Sequence, residues 1–243
     1  MARSSAVTSG TVPSNAERGP QADDIRRPPP VGVSHLGSGP SLTRDITARP
    51  VQLRGARWSR AVLRLFGWTL QFDGLPSRQG VLVFYPHTSN WDFVLAMLAK
   101  SAIGMPARFW AKDSLFRIPL FGAWLRWLGG VPVMRHSKRG TVGEVVDRMA
   151  ESRQRDEFFW LALAPEGTRS RADGWRSGFY QVALQADVPL ALAYIDYPSM
   201  RLGIGCHVRL GGDLEADMAL IAERLGHHRG RFPERASPVR IKS

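Results

Sequence analysis

Residues 81–94 read Val-Leu-Val-Phe-Tyr-Pro-His-Thr-Ser-Asn-Trp-Asp-Phe-Val, and this stretch decides how the chain folds. Its first five residues form an apolar run rich in β-forming types, which is typical of a buried strand. Pro86 ends the run, and the pattern that follows predicts a helix over residues 89–101. The stretch therefore predicts a strand that delivers His87 to its carboxyl end and leads directly into a helix.

Three more apolar runs predict further strands, at residues 130–134, 158–164 and 188–194. Longer helical stretches such as residues 141–154 separate them. Strands that alternate with helices are typical of α/β folds, because the crossover helices make neighbouring strands parallel. We therefore expect an α/β fold with a largely parallel central sheet flanked by helices.

Composition divides the chain into three parts. Residues 1–48 are rich in Ser, Gly, Pro and Arg without a sustained period, so we expect a disordered N-terminal leader. Residues 49–225 are expected to form a single domain, since 243 residues with 44% hydrophobic composition suit one core. Within it, residues 206–210 indicate one more strand and residues 213–225 a helix. Residues 226–243 are interpreted as a basic C-terminal tail.

The charge and cysteine content limit the classes of function. The net charge is +12, from 33 Lys and Arg against 21 Asp and Glu, which favours phosphate-bearing partners such as anionic lipid, nucleic acid or phosphorylated cofactors. A single cysteine, Cys206, excludes an internal disulfide framework and any zinc site built from several cysteines. No metal site is expected.

Residues 54–70 alternate apolar side chains with arginines at roughly helical spacing, which predicts a basic amphipathic helix. Such a helix can lie on a membrane surface or pack on the core, and the sequence favours neither. Charged residues interrupt the longest apolar runs, so none reaches the roughly 20 residues of a spanning helix. No apolar stretch near Met1 is typical of a signal peptide, so the cytoplasmic side is the expected location.

His87 and Asp92 form the first candidate site. A histidine at a strand end and a carboxylate in the first turn of the next helix can approach each other. A neutral imidazole can take a hydroxyl proton, and a carboxylate beside it fixes the tautomer and stabilises the imidazolium. The structural alternative is a capping box from Ser89 to Asp92, with Asp in place of Glu.

The second candidate site is the loop after the apolar run at residues 159–163. Arg169 offers a planar set of donors for phosphate, Gly167 permits a close backbone approach, and Glu166 can orient the arginine or a substrate hydroxyl. Thr168 completes the motif. The alternative is a surface ion pair in a turn.

Arg135 gives a third candidate, because it ends the strand-like run of residues 129–135. An arginine at this position can bind an anionic substrate. Lys138 and Arg139 follow it, so a solvated loop is an equally good interpretation.

The order of these motifs resembles that of the glycerol-phosphate and lysophosphatidic acid acyltransferase superfamily. The resemblance extends from about residue 80 to residue 197. It rests on His87-x4-Asp92, Lys112-x2-Leu115 with Pro119 and Gly122, residues 130–135, Pro165-Glu166-Gly167-Thr168-Arg169-Ser170, and Val188-Pro189-Leu190.

The resemblance implies a role for each motif. It implies that His87 and Asp92 are the catalytic dyad, which activates an acceptor hydroxyl for attack on an acyl-CoA or acyl-carrier-protein thioester. It implies that the acceptor is bound, commonly at a phosphate, by Arg135, Glu166, Gly167, Thr168 and Arg169. Lys112, in the second motif, is added to this set. No cofactor is implied beyond the thioester co-substrate.

We therefore expect a lysophospholipid acyltransferase of phospholipid biosynthesis, with 1-acylglycerol-3-phosphate as acceptor. Three departures from the family pattern, at Ala164, residues 176–178 and Leu192, lie around the presumed acceptor site, so another lysolipid such as a lyso-aminolipid is the enzymatic alternative. The alternative of another class is a basic nucleic-acid-binding protein, based on the pI of about 11.0. No nucleic-acid-binding motif supports it, so no nucleic acid is expected.

A long acyl chain and a lysolipid acceptor both reside in the bilayer, so we expect a peripheral protein on the cytoplasmic face of an anionic membrane. The predicted contacts are the helix at residues 54–70 and an apolar, aromatic surface around Phe116, Phe121, Trp124 and Trp127.

Overall fold

A computed structural model of the protein describes residues 44–133 and 140–242. Most of the predicted leader, and Arg135, lie outside these residues. The described chain forms eight strands and seven α-helices: β1 (Arg44–Asp45), α1 (Arg57–Leu65), β2 (Thr69–Gln71), β3 (Gln79–Tyr85), α2 (Asn90–Ile103), β4 (Arg108–Lys112), α3 (Asp113–Phe116), α4 (Phe121–Trp127), β5 (Gly130–Val133), α5 (Gly140–Gln154), β6 (Phe159–Leu163), α6 (Gly178–Gln185), β7 (Leu190–Asp196), β8 (Arg201–Arg209) and α7 (Leu214–Leu225), followed by a 3-10 turn at Pro233–Arg235.

All eight strands belong to one sheet, ordered β1-β8-β7-β3-β6-β4-β5, with β2 also paired to β8. The five strands from β7 to β5 run parallel to one another, while β8 is antiparallel to β7. The predicted α/β fold with flanking helices is confirmed, and the sheet is mixed rather than purely parallel. The antiparallel pair arises because only a short turn separates β7 from β8, which leaves no room for a crossover helix.

The two faces of β3 bury different helices. Val81, Val83 and Tyr85 pack in a cluster with residues of α5, α6 and α7, including Met149 and Phe179. The alternate side chains of β3 face the opposite side, where the core also receives residues of α1 and α2. This period of two produces helical layers on both faces of the sheet.

Helix α2 begins and ends at clear signals. Ser89 is its N-cap, with a capping box that includes Asp92, and Gly104 ends it in the left-handed region at φ 79°. A Cβ atom at Gly104 would lie 2.9 Å from Cα of Gly55, so a larger residue would push α2 away from the segment that leads into α1. The predicted helix at residues 89–101 is therefore observed.

Three predicted segments differ from the structure. The helix predicted at residues 54–70 is shorter, because Gly67 adopts φ 79° after α1 and residues 69–71 form β2 beside β8. Residues 226–242, interpreted as a tail, pack on the fold: Ser237 is buried, and Trp175 forms a β-bridge with Ile241. At the other end of the chain, β1 lies within the last residues assigned to the leader.

Candidate active site

Two loops meet at the carboxyl edge of the parallel strands. Strand β3 leads to His87 and strand β6 leads to Glu166, and the two strands are neighbours with Val83 opposite Leu163. Their loops therefore emerge side by side, where α/β folds place their ligands. The backbone N–H of His87 donates to Glu166 Oε2 at 2.6 Å, so the structure brings the first and second motifs together.

Asp92 is fully buried and accepts three hydrogen bonds. Its Oδ2 atom accepts from the backbone N–H groups of Thr88 and Ser89, both at 2.7 Å, and its Oδ1 accepts from the hydroxyl of Tyr197, also at 2.7 Å. His87 Nδ1 lies 3.7 Å from the same Oδ2. The capping box and the histidine–aspartate pair are thus both present, and one carboxylate serves both.

His87 is mostly buried, and its Nδ1 atom has no hydrogen-bond partner among the described residues. Burial and, to a smaller extent, the nearby charge of Arg169 lower the pKa of His87 to about 4, although Asp92 opposes the shift. The imidazole is therefore neutral at physiological pH. It can accept a proton from a substrate.

Glu166 links the loop that carries His87 to the C-terminal segment. Besides the bond from His87, its Oε1 accepts the N–H of Ser237 at 2.8 Å. Burial raises the pKa of Glu166 to about 7, although both backbone bonds act against the shift. Within the described chain, Glu166 binds these N–H groups and makes no ion pair with Arg169.

The rest of the motif forms an exposed turn. Gly167 has φ 66°, and a Cβ atom there would lie 2.6 Å from Nε of Arg176, so the close approach is to this side chain. Thr168 Oγ1 accepts the N–H of Ser170 at 3.2 Å. Arg169 is exposed and has no carboxylate partner among the residues described, which leaves its guanidinium available to a ligand.

The other candidates are placed only in part. The backbone of Lys112 ends β4 beside Val133 of β5, while its side chain, like the whole of Arg135, lies outside the described part of the structure. In the same part, no cluster of three or more His, Cys, Asp or Glu side chains could hold a metal ion.

Sequence reasoning missed Tyr197 and Ser237. Tyr197 directly follows β7, which lies beside β3 and runs parallel to it, so its loop emerges at the same edge as His87. That topology was a usable signal, since the strand at residues 188–194 was predicted. Ser237 lies in the segment interpreted as a tail, where no pattern marked it.

Comparisons with known proteins identify the family to which the chain belongs. The sequence model of the acyltransferase family matches residues 70–195, just over half of the chain, so the protein belongs to that family. The match includes His87, Asp92 and the Glu166 loop, and it confirms the resemblance found in the sequence at the level of the family.

Two individual proteins are similar to this chain. The lysophospholipid acyltransferase LPEAT1 of Arabidopsis thaliana is 30% identical over 133 residues, which cover 53% of this chain and 32% of that protein. The chain thus spans about a third of the length of this relative. A second similar protein is the 1-acyl-sn-glycerophosphate (LPA) acyltransferase PlsC from Thermotoga maritima, known from its crystal structure. The match covers 69% of this chain and 73% of the PlsC chain, at 19% sequence identity and a TM-score of 0.46.

Proposed function

We propose that the protein is an O-acyltransferase that moves a fatty acyl group from acyl-CoA or acyl-carrier protein to the hydroxyl of a lysophospholipid. The proposed acceptor is 1-acylglycerol-3-phosphate, and the proposed role is phospholipid biosynthesis. The observation that carries the proposal is the neutral, buried imidazole of His87 beside the Asp92 carboxylate, inside the region matched by the family. The name of the plant relative supports a lysophospholipid acceptor.

The proposed chemistry is a single acyl transfer with His87 as general base. Since Nδ1 faces Asp92, Nε2 takes the proton of the acceptor hydroxyl as its oxygen attacks the thioester carbonyl carbon. The new C–O bond forms, the tetrahedral intermediate collapses, and the C–S bond breaks. The thiolate then leaves with the proton from the imidazolium, so neither a serine nor a cysteine nucleophile is needed.

Asp92 stabilises the imidazolium in this proposal. The separation of 3.7 Å between His87 Nδ1 and Asp92 Oδ2 exceeds the length of a hydrogen bond. Substrate binding must therefore shorten this distance by about 1 Å. Three donors and complete burial hold the carboxylate in one place. It can therefore respond to a proton on His87 without rearranging the loop.

The start of α2 offers one donor to the thioester oxyanion. The N–H groups of Thr88, Ser89, Trp91 and Asp92 already donate to acceptors within the loop. The N–H of Asn90 has no partner among the described residues, and it lies at the positive end of the helix dipole. We assign it to the oxyanion.

Arg169 and Arg135 are proposed to bind the acceptor phosphate, with Lys112 as a further cation. Arg169 is close enough for its charge to act on His87, and its planar guanidinium can bind two phosphate oxygens at once. Glu166, Gly167 and Thr168 shape the loop that presents it. A phosphate held there brings the neighbouring hydroxyl toward the imidazole.

The membrane surface is proposed to meet the face of the sheet that carries α1 and α2. Trp58 and Phe66, on and just after α1, are 63% and 67% exposed, and Arg57, Arg60 and Arg64 are exposed beside them. No helix among the described residues combines the length and apolar character of a membrane span. Insertion of aromatic side chains together with basic charge can hold a protein at an anionic bilayer.

A second exposed apolar group lies on α4. Trp127 is 80% exposed, and Phe121 and Trp124 are partly exposed, whereas Phe116 is only 5% exposed and packs with Leu125. Phe116 therefore does not belong to the surface predicted from the sequence, because the turn between α3 and α4 folds its ring inward. Since α2 packs on α1 and its Phe93 meets the ring of Trp124 at 6.2 Å, the two groups flank the helix that carries Asp92.

Thiol release tests the function directly. The wild-type protein is given long-chain acyl-CoA or acyl-carrier protein together with 1-acylglycerol-3-phosphate, another lysophospholipid or a lyso-aminolipid, and the acylated product is identified. We expect acceptor-dependent thiol release that is greatest with 1-acylglycerol-3-phosphate. Release at the rate of spontaneous hydrolysis with every acceptor would contradict acyl transfer, and a preference for the lyso-aminolipid would replace the proposed acceptor.

A further inference from the structure

The hydroxyl of Tyr197 holds the oxygen of Asp92 that the catalytic loop leaves free. The N–H groups of Thr88 and Ser89 both bind Oδ2, the oxygen that faces His87. Rotation about the Cβ–Cγ bond moves both oxygens, so a donor on Oδ1 adds to the restraint that these two bonds place on the carboxylate. The bond from Tyr197 to Oδ1, at 2.7 Å, fixes the plane of the group.

Tyr197 is itself held from two sides. Its ring meets the edge of Trp68 at 5.1 Å, and its backbone N–H donates to the carbonyl oxygen of Arg229 at 3.0 Å. Burial raises the pKa of Tyr197, and its bond to Asp92 raises it further. The phenol therefore stays protonated and remains a donor at every pH at which the protein is expected to work.

We propose that Tyr197 is a positioning residue, which orients the Asp92 carboxylate so that Oδ2 stays directed at His87. The role is indirect, since Tyr197 acts through Asp92 and touches no reacting atom. Its contribution to catalysis rests on the proposed function, while its effect on the environment of His87 does not. Loss of the hydroxyl would leave Asp92 with two donors on one oxygen and a less restrained plane.

The chain offers a matched control in Tyr180. Its hydroxyl donates at 2.7 Å to Asp217, which is also fully buried and also accepts two backbone N–H groups, from Gly211 and Gly212. Asp217 lies in α7, on the face of the sheet opposite α2. Tyr180→Phe therefore removes the same kind of hydrogen bond from the same kind of carboxylate at another place.

The experiment compares Tyr197→Phe with Tyr180→Phe by NMR titration of the histidine rings and by thiol-release kinetics. The His87 signal is identified by its absence in His87→Ala. We expect Tyr197→Phe to lower the pKa of His87 below about 4, because a carboxylate that is less well directed at His87 stabilises the imidazolium less. We also expect kcat to fall on the order of tenfold with little change in either KM, while Tyr180→Phe leaves kcat and the His87 titration as in wild type.

An unchanged or higher His87 pKa in Tyr197→Phe overturns the proposal, whatever the activity. An equal loss of kcat in Tyr180→Phe overturns it too, because the effect would then follow from stability alone. A wild-type protein that releases no thiol contradicts the proposed function instead, and the titration then decides by itself whether Tyr197 sets the environment of His87.

Discussion

Asp92 and Asp217 have nearly the same hydrogen-bonding surroundings in two different layers of the fold. Each is fully buried near the start of a helix, and each accepts one tyrosine hydroxyl at 2.7 Å and two backbone N–H groups. Asp217 ties α7 to the turn after β8. Asp92 ties α2 to the loop after β3, but that loop also carries His87 at the carboxyl edge of the parallel strands. The comparison shows that a cap becomes a candidate catalytic group through what the strand order places beside it.

The largest functional difference between the surroundings of Asp92 and Asp217 should appear when His87 is removed. His87→Ala is expected to lower kcat on the order of 10² to 10⁴-fold, because the base that takes the hydroxyl proton is lost. Folding should be preserved, since Nδ1 of His87 has no hydrogen-bond partner among the described residues. Thiol-release kinetics and a thermal melt measure the two effects, and a variant with more than about a tenth of the wild-type kcat would reject the assignment.

Replacing Asp92 and Asp217 by asparagine distinguishes a carboxylate that acts through its charge from one that only accepts hydrogen bonds. Asp92→Asn keeps an oxygen that can accept from Thr88 and Ser89 but cannot stabilise an imidazolium by charge, so kcat should fall on the order of 10²-fold or more. Asp217→Asn should lose only about 1 to 3 kcal/mol of unfolding free energy and keep its kcat. Chemical denaturation and kinetics of both variants provide the measurement. Near-normal turnover in Asp92→Asn would mean that Asp92, like Asp217, has only a structural role.

Glu166, which lies near Asp92, should make the stability of the protein depend on pH. The pKa of Glu166 is raised from 4.5 to about 7, so its contribution to stability is fully present below pH 4.5 and is lost as pH rises through 7. That loss amounts to about 3 kcal/mol. His87 has the opposite sign, because its pKa is lowered from 6.5 to about 4: its contribution is present above pH 6.5 and is lost as pH falls through 4.

Glu166→Gln tests this assignment through urea unfolding measured between pH 4.5 and 8. The wild-type protein should lose stability across that interval more steeply than the variant, which has no carboxyl group to ionise at this position. Parallel curves for the two proteins would show that Glu166 ionises in the folded protein at its ordinary pKa.

The membrane proposal predicts that the helices on the two faces of the sheet differ in their contribution to membrane binding. Trp58→Asp combined with Phe66→Asp, on the face that carries Asp92, should weaken flotation with anionic liposomes several-fold, and added salt should weaken the wild type as well. Leu214→Asp, at an exposed apolar position on α7, is the matched control and should float like the wild type. Equal flotation of all three proteins would place the membrane contact elsewhere or exclude it.

Local patterns predicted those parts of the fold and site that lie close together in sequence. The strand at residues 81–85, the helix after it and the spacing from His87 to Asp92 follow from short-range periodicity and a capping signal. Tyr197 could not be paired with Asp92 from spacing, because 105 residues separate them and only the strand order joins them. Phe116 was placed on the surface because periodicity does not reveal which neighbouring element covers a side chain.

The short strand β4 shows a related limit. Its sequence, Arg-Phe-Trp-Ala-Lys, has charged residues at both ends and lacks the continuous apolar run that marked the other parallel strands. It nevertheless fills the place between β6 and β5, where pairing on both sides supplies the stability that its composition does not indicate.

The bond between Glu166 and Ser237 also has a consequence for protein synthesis. Seventy-one residues separate the two. A ribosome that adds about 5 to 20 residues per second therefore makes Glu166 roughly 4 to 14 s before Ser237. During that interval the loop that carries His87 lacks one of its anchors. The loop that carries His87 can therefore reach its final form only after residues 226–242 have left the ribosome, although His87 and Asp92 were made much earlier.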